Sequence, residues 1–149
     1  MKPLSIVRSP PVLGLASLAA QRLLSRGSTT SAATSTLGAA VALAGIAVAA
    51  AGIREVRSAG TTLDPMRPQD TTQVVRRGVF RYSRNPIYLG DALLLAGYAI
   101  HRGDPLALIP VAGFVGVIDL FQVPEEEAAL LERFGSTYGE YVATVRRWF

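Results

Sequence analysis

The chain has 149 residues, of which 50% are hydrophobic and only 17% are charged, and its mean hydropathy is +0.32. It has no cysteine and one histidine, which excludes a disulfide scaffold, a thiolate metal site, a cysteine nucleophile and a metal site built on several histidines. The net charge of +4 comes from arginines placed between long apolar runs, a pattern that favours a membrane protein over a nucleic-acid-binding one.

Four apolar segments predict an all-α integral membrane protein with four transmembrane helices and a cytoplasmic C-terminal helix. A helix needs about 20 residues to cross the hydrocarbon core, within a range of about 17–25. The predicted spans of this single domain, residues 1–149, cover residues 11–26, 32–53, 86–101 and 105–123. The first and third are short. A secretory signal is the alternative for the first, because Lys2 and Arg8 precede its apolar stretch.

The distribution of basic residues predicts how these spans are oriented. In the four-span arrangement only three of the 15 basic residues lie on the outer side, namely Arg22, Arg26 and Arg102. Because basic residues concentrate on the cytoplasmic side, the pattern predicts a multi-pass protein of the cell membrane with both termini in the cytoplasm.

Two polar regions then face the cytoplasm. Residues 54–85 form a loop that contains Pro65 and Pro68, so one long helix is not expected there. Residues 124–147 predict a helix, because Pro124 and the three glutamates after it suit a helix start and apolar residues recur at three- and four-residue spacing. The apolar face of this helix would lie on the membrane surface or against the loop.

The third and fourth spans are joined only by residues 101–104, so we expect a tight antiparallel hairpin. This hairpin would bring residues 78–90, which are rich in arginine and tyrosine, close to the glutamates at 125–127. Such a strip suits a zwitterionic or cationic ligand. The structural alternative is that the arginines and tyrosines anchor a span and that the glutamates complement the helix dipole.

The two motifs that flank the hairpin are recognisable. Residues 78–90 read GVFRYSRNPIYLG, and residues 126–148 contain a glutamate pair, a Phe-Gly step, two tyrosines and a final Arg-Trp pair. In this order they resemble the signatures of the isoprenylcysteine carboxyl methyltransferase and phospholipid methyltransferase superfamily, and residues 60–65 resemble the loop of its short bacterial members. The resemblance covers about residues 60–149, some three-fifths of the chain.

The resemblance implies a membrane-bound methyltransferase that uses S-adenosylmethionine at the cytoplasmic face and acts on a lipophilic small molecule or lipid. It implies that the cofactor is bound by seven residues: Val75, Phe80, Asn85, Pro86, Tyr88, Glu126 and Glu127. The candidate catalytic residues are Arg84, Asn85 and Asp91. Glutamates can pair with the cofactor's ammonium and Arg84 with its carboxylate, and methyl transfer depends on alignment and water exclusion more than on an acid or base.

Two departures from the family pattern bear on the acceptor. Asn85 stands where carboxyl-methylating members usually carry histidine, and Gln122 stands where they place an arginine. Both argue against a prenylcysteine carboxylate. An amine acceptor would have to lose a proton, and Asp91 and Asp119 are the candidate bases, because an acid inside a span costs about 2.5–3.5 kcal/mol.

Two other functions fit the apolar pattern. A small four-span transporter or channel has this size, although a transporter should have two similar halves and the halves of this chain are unlike each other. The second alternative function is a non-catalytic membrane subunit that keeps the same fold. The expected partners are the bilayer and a lipophilic acceptor, with no metal and no nucleic acid.

Overall fold

The computed structural model describes residues 9–149 and is helical, without strands, over this range. The helices are α1 (Pro10–Leu24), α2 (Ala32–Ser58), α3 (Pro86–Arg102), α4 (Ile109–Val117), α5 (Val123–Phe134) and α6 (Ser136–Thr144). A π-helical turn, Ile118–Gln122, joins α4 to α5, and 3-10 turns cover Pro68–Asp70, Gly78–Arg81 and Pro105–Leu108. The all-α prediction is therefore confirmed. Lys2 and Arg8, on which the secretory-signal alternative depends, lie outside the described residues.

Local chemistry explains most of the helix boundaries. Proline occupies the first helical positions of α1 and α3, where its missing N–H leaves no hydrogen bond unmade. At the start of α2, the side chains and backbone N–H groups of Ser31 and Thr34 form a reciprocal capping box. Helix α3 ends at Gly103, whose φ of +64° is the left-handed conformation that glycine adopts without strain.

The helix predicted over residues 124–147 is wrong as a single element. Helix α5 continues directly from the π-helical turn, so the helical run from Pro105 to Phe134 does not end with the apolar segment. Gly135, with φ +52° and ψ −127°, then breaks the run, and α6 ends at Thr144. This conformation is available to glycine and excludes a continuous helix.

Helices α2 and α3 are antiparallel and pack unusually closely. A Cβ atom added to Gly38 would lie 2.5 Å from the carbonyl oxygen of Gly97, and one added to Gly45 would lie 2.6 Å from that of Gly90. Glycine pairs of this kind let two helix backbones approach each other without intervening side chains. We call this contact the glycine seam.

Helices α1 and α4 pack on α3. Leu95 of α3 is buried together with Phe114 and Ile118, and the side-chain amide of Gln21 in α1 donates to the carbonyl oxygens of Leu95 and Ala107 at 2.9 and 3.0 Å. One buried glutamine thus ties α1 to two other helical segments. Nearby, Ser28 donates to Asp104 at 2.5 Å, which fixes the connection after α1 against the turn after α3.

Two helical stretches of the described chain are long and apolar enough to cross a membrane: Ala32–Ser58 and Pro105–Phe134. Helices α1 and α3, with 15 and 17 residues, do not meet the same length criterion. The length criterion therefore supports two of the four predicted spans.

Candidate functional site

The site forms at the end of the helices where α3 begins and α4 passes into α5. The hydroxyl of Tyr88, in the first turn of α3, donates a hydrogen bond to Oε1 of Glu126 in α5. The Gln122 amide donates to the same oxygen at 2.8 Å and to the Pro65 carbonyl oxygen at 2.8 Å. No hydrogen bond within the described chain involves Oε2 of Glu126. Two donors therefore orient this carboxylate and leave one oxygen free for a ligand.

The second glutamate of the pair lies in a network of charges. Oε1 of Glu127 accepts from Arg84 at 2.7 Å, and Oε2 accepts from Arg147 at 2.8 Å. Arg147 also contacts Asp119 at 3.1 Å, and the Trp148 indole donates to the same Asp119 oxygen at 2.9 Å. Hydrogen bonds to Glu127 raise the pKa of Arg147, so this arginine remains a cation.

The C-terminal segment fixes the loop before α3. The Asn85 side-chain amide donates to the Arg147 carbonyl oxygen at 3.1 Å, and the Arg84 backbone N–H donates to that of Arg146 at 3.0 Å. Arg84 also donates to the Val145 carbonyl oxygen at 2.5 Å, but its Nε atom is buried without a hydrogen-bond partner. A buried guanidinium N–H that lacks an acceptor is suited to an anionic ligand group.

Two tyrosines of α6 complete the wall behind this loop. Tyr141 is 4% exposed and donates to the carbonyl oxygen of Phe80 at 2.7 Å. Burial and the neighbouring Glu127 charge raise the pKa of Tyr138 to about 12, so its hydroxyl is neutral near pH 7. Both tyrosines belong to the C-terminal motif, but the sequence assigned them no role in the site.

One cavity of about 640 Å³ joins these groups. All nine residues that the resemblance named for the cofactor or for catalysis line it: Val75, Phe80, Arg84, Asn85, Pro86, Tyr88, Asp91, Glu126 and Glu127. Asp91 is half-buried and makes no hydrogen bond or ion pair within the described chain. Asp119 does not line the cavity, because Arg147 and Trp148 hold its carboxylate. His101 lies in the last turn of α3, at the opposite end from the site.

Sequence reasoning missed three parts of this site: two stretches of the cavity lining and one residue that orients Glu126. The loop between α2 and α3 contributes residues 61–65, which the sequence analysis matched to the family loop but did not place in the site. Gln122 orients Glu126, and its position four residues earlier on a helix is a signal that could have been used. The third part is a wall formed by α1, for which the sequence offers no motif.

Comparison with known proteins agrees with the recognised motifs. The family described as phospholipid methyltransferase matches residues 33–137. An uncharacterized protein from Haemophilus influenzae is 39% identical over 62 residues, which are 42% of this chain and 98% of that protein. No solved structure matches. The family match does not favour the transporter alternative, and it covers more than half of the sequence. The chain belongs to the phospholipid methyltransferase family.

Proposed function

We propose that this protein is a membrane-bound, S-adenosylmethionine-dependent methyltransferase that acts on a lipophilic small molecule or lipid at the cytoplasmic face. Membership of a methyltransferase family supports the reaction class. The observation that carries the proposal is the contact between Tyr88 and Glu126, which come from two motifs far apart in the chain and meet in one cavity with the other candidate cofactor-binding residues.

The residues present fit this cofactor. Its ammonium and sulfonium are cationic and its amino-acid end carries a carboxylate. In our proposal the free Oε2 of Glu126 accepts from the ammonium, and the unpartnered Nε of Arg84 donates to the carboxylate. The adenine would lie against the apolar side chains of Val75, Phe80 and Pro86, which line the same cavity. A volume of 640 Å³ lies within the range of about 300–1,000 Å³ that is typical of ligand pockets.

The remaining residues align the reactants and handle the proton. When bound, S-adenosylmethionine supplies a methyl group already activated for in-line displacement. Glu127 holds the Arg84 side chain in place, and Asn85 donates to the Arg147 carbonyl oxygen. Both therefore act as positioning residues. Asp91 lies one helical turn after Tyr88, lines the cavity and has no partner within the described chain. We propose that its carboxylate accepts the proton that the acceptor atom loses as it is methylated.

The proposed topology keeps four spans, with the site at the cytoplasmic end. Two helical stretches are long enough to cross a membrane, and the family consists of phospholipid methyltransferases, which supports placement in a membrane. The arginine distribution supports cytoplasmic termini. In this topology residues 1–149 form a single domain that a lipophilic acceptor reaches from the bilayer.

Calorimetry with S-adenosylhomocysteine, the demethylated cofactor, tests the proposal on the purified full chain. The wild type should bind it, and Glu126→Gln should bind it about tenfold more weakly, because a carboxylate that pairs with an ammonium becomes a neutral amide.

Glu125→Gln is the matched control, since Glu125 is exposed and does not line the cavity. Its affinity should equal that of the wild type. No heat of binding with the wild type, or the same affinity in both variants, would overturn the proposal.

A further inference from the structure

The cavity continues beyond the proposed cofactor residues into an apolar limb. Helix α1 contributes Gly14, Leu15 and Leu18 to its lining, and α3 contributes Leu94 and Leu95 on the facing side. From Tyr88 to Leu95, α3 advances about 10 Å at 1.5 Å per residue. The limb therefore extends well beyond the Tyr88–Glu126 contact, along the axis of α3.

The end of the limb is closed by a buried polar contact. Gln21, one helical turn after Leu18, is fully buried and bonds to the carbonyl oxygens of Leu95 and Ala107. This contact ties α1 to its neighbours just beyond the last lining residues. By contrast, Leu15 is 69% exposed, so the N-terminal half of α1 leaves a side of the limb open to the surroundings.

Asp91 lies where the limb meets the polar part of the cavity. It is three residues before Leu94 on α3, so both face the same side of the helix. A molecule with an apolar chain in the limb would thus place its polar end at Asp91, beside the proposed cofactor position. The same cavity must also contain a nucleoside-sized cofactor, so we assign the limb to one chain.

We propose that α1 and α3 form an acceptor subsite that binds a single apolar chain, with Gln21 marking its far end and Asp91 facing its nucleophilic head group. The inference rests on the proposed methyltransferase function. Helix α1 lies outside residues 33–137, the part of the chain that matches the family. This subsite is therefore built partly from a segment outside the family match, and in our proposal α1 determines acceptor specificity.

Photolabelling tests the subsite directly. The probe is dodecylamine with a mid-chain diazirine, added to the full chain in phosphatidylcholine nanodiscs. Tryptic peptides 9–22 and 85–102, which contain the two walls, should be labelled, and excess unlabelled dodecylamine should displace the label. Peptide 27–54 from α2 is the background, because Leu37, Leu43 and Ile46 are exposed on it. Labelling of peptide 27–54 should not saturate as the probe concentration rises.

Gly14→Trp should fill the limb and lower the displaceable labelling of peptide 85–102 about tenfold. A Cβ atom on Gly14 meets nothing within 4 Å, so the new side chain starts from open space. Gly113→Trp is the control, because a Cβ atom on Gly113 also meets nothing within 4 Å but Gly113 does not line the cavity. Displaceable labelling of peptide 85–102 in this variant should match that in the wild type. Leu18→Phe, a smaller obstruction in the same limb, should lower labelling in the same direction if Gly14→Trp is unstable.

Calorimetry with S-adenosylhomocysteine on the same samples separates this inference from the proposed function. Gly113→Trp, which does not change the cavity lining, should keep the wild-type affinity. Displaceable labelling without any cofactor binding would overturn the methyltransferase proposal but leave the apolar subsite standing. Labelling of the two wall peptides that is not displaced, or that persists in both limb variants, would overturn the subsite itself.

Discussion

The orientation of the Glu126 carboxylate depends on two hydrogen-bond donors. Its Oε1 accepts from the Tyr88 hydroxyl and the Gln122 amide, so the carboxylate has one orientation and its second oxygen remains available. A hydrogen bond to a charged group contributes about 1.5–3 kcal/mol. We expect Tyr88→Phe to weaken binding of S-adenosylhomocysteine about tenfold in calorimetry, because the carboxylate loses a donor and gains freedom to rotate.

Tyr98→Phe is the control for this prediction. Tyr98 lies on the same helix but does not line the cavity, so its substitution should leave the affinity unchanged. Equal affinities for the two variants would contradict a role of the Tyr88 hydroxyl in orienting Glu126.

The sequence could identify the two acids and name Asp91 as a catalytic candidate, but it could not show the contacts that separate them. Asp91 and Asp119 both lie in apolar segments and both were candidate bases. Their difference arises from the C terminus: Arg147 and Trp148 fold back onto Asp119, whereas Asp91 has no such partner within the described chain. Contacts between residues 28 positions apart depend on tertiary packing, which periodicity and hydropathy do not encode.

At the scale of elements, the glycine seam decides how close α2 and α3 can lie. An alanine methyl at position 45 would lie 2.6 Å from the Gly90 carbonyl oxygen, so the helices would have to separate. Overpacking of this kind costs about 1–3 kcal/mol, which exceeds the gain of up to about 1 kcal/mol from replacing glycine in a helix. Gly45→Ala should therefore lower the melting temperature of the purified protein.

Gly113→Ala makes the same chemical change where a Cβ atom meets nothing within 4 Å. Here only the helix propensity acts, so the melting temperature should stay the same or rise. A Gly45→Ala protein as stable as Gly113→Ala would show that the seam does not hold the two helices together.

The sequence predicted where most helices lie but not how they end or join. Span positions follow from apolar runs, whereas the capping by Ser31 and the role of Pro86 at the start of α3 were seen only in the structure. The continuation of the fourth span through the π-helical turn was not predictable, because Pro124 favours the start of a new helix over the interior of a continuous run. The break at Gly135 depends on its backbone angles, which composition does not reveal.

Contacts between helix ends occur at two levels of the molecule. Arg102 donates to Ser25 and Ser28 to Asp104, which places the ends of α1 and α3 together. At the other level, Arg84 before α3 meets Glu127 of α5. Since α2 runs antiparallel to α3 along the glycine seam, the four helical segments extend side by side between these levels. Helices α1 and α3, too short by the length criterion, thus lie alongside the long ones, which supports the four-span proposal.

Cysteine accessibility in oriented vesicles tests this topology, because the natural chain has no cysteine to give a background. Thr30→Cys lies between α1 and α2, Gln69→Cys lies between α2 and α3, and Phe149→Cys is at the C terminus; all three side chains are exposed. A membrane-impermeant maleimide should label Thr30→Cys only from the outer side and the other two only from the cytoplasmic side. If only Ala32–Ser58 and Pro105–Phe134 crossed the membrane, Gln69→Cys and Phe149→Cys would react from opposite sides. That result would contradict four spans. Labelling of Gln69→Cys and Phe149→Cys from the cytoplasmic side alone would support them, because it would place the site loop and the C-terminal motif on the face where soluble S-adenosylmethionine is available.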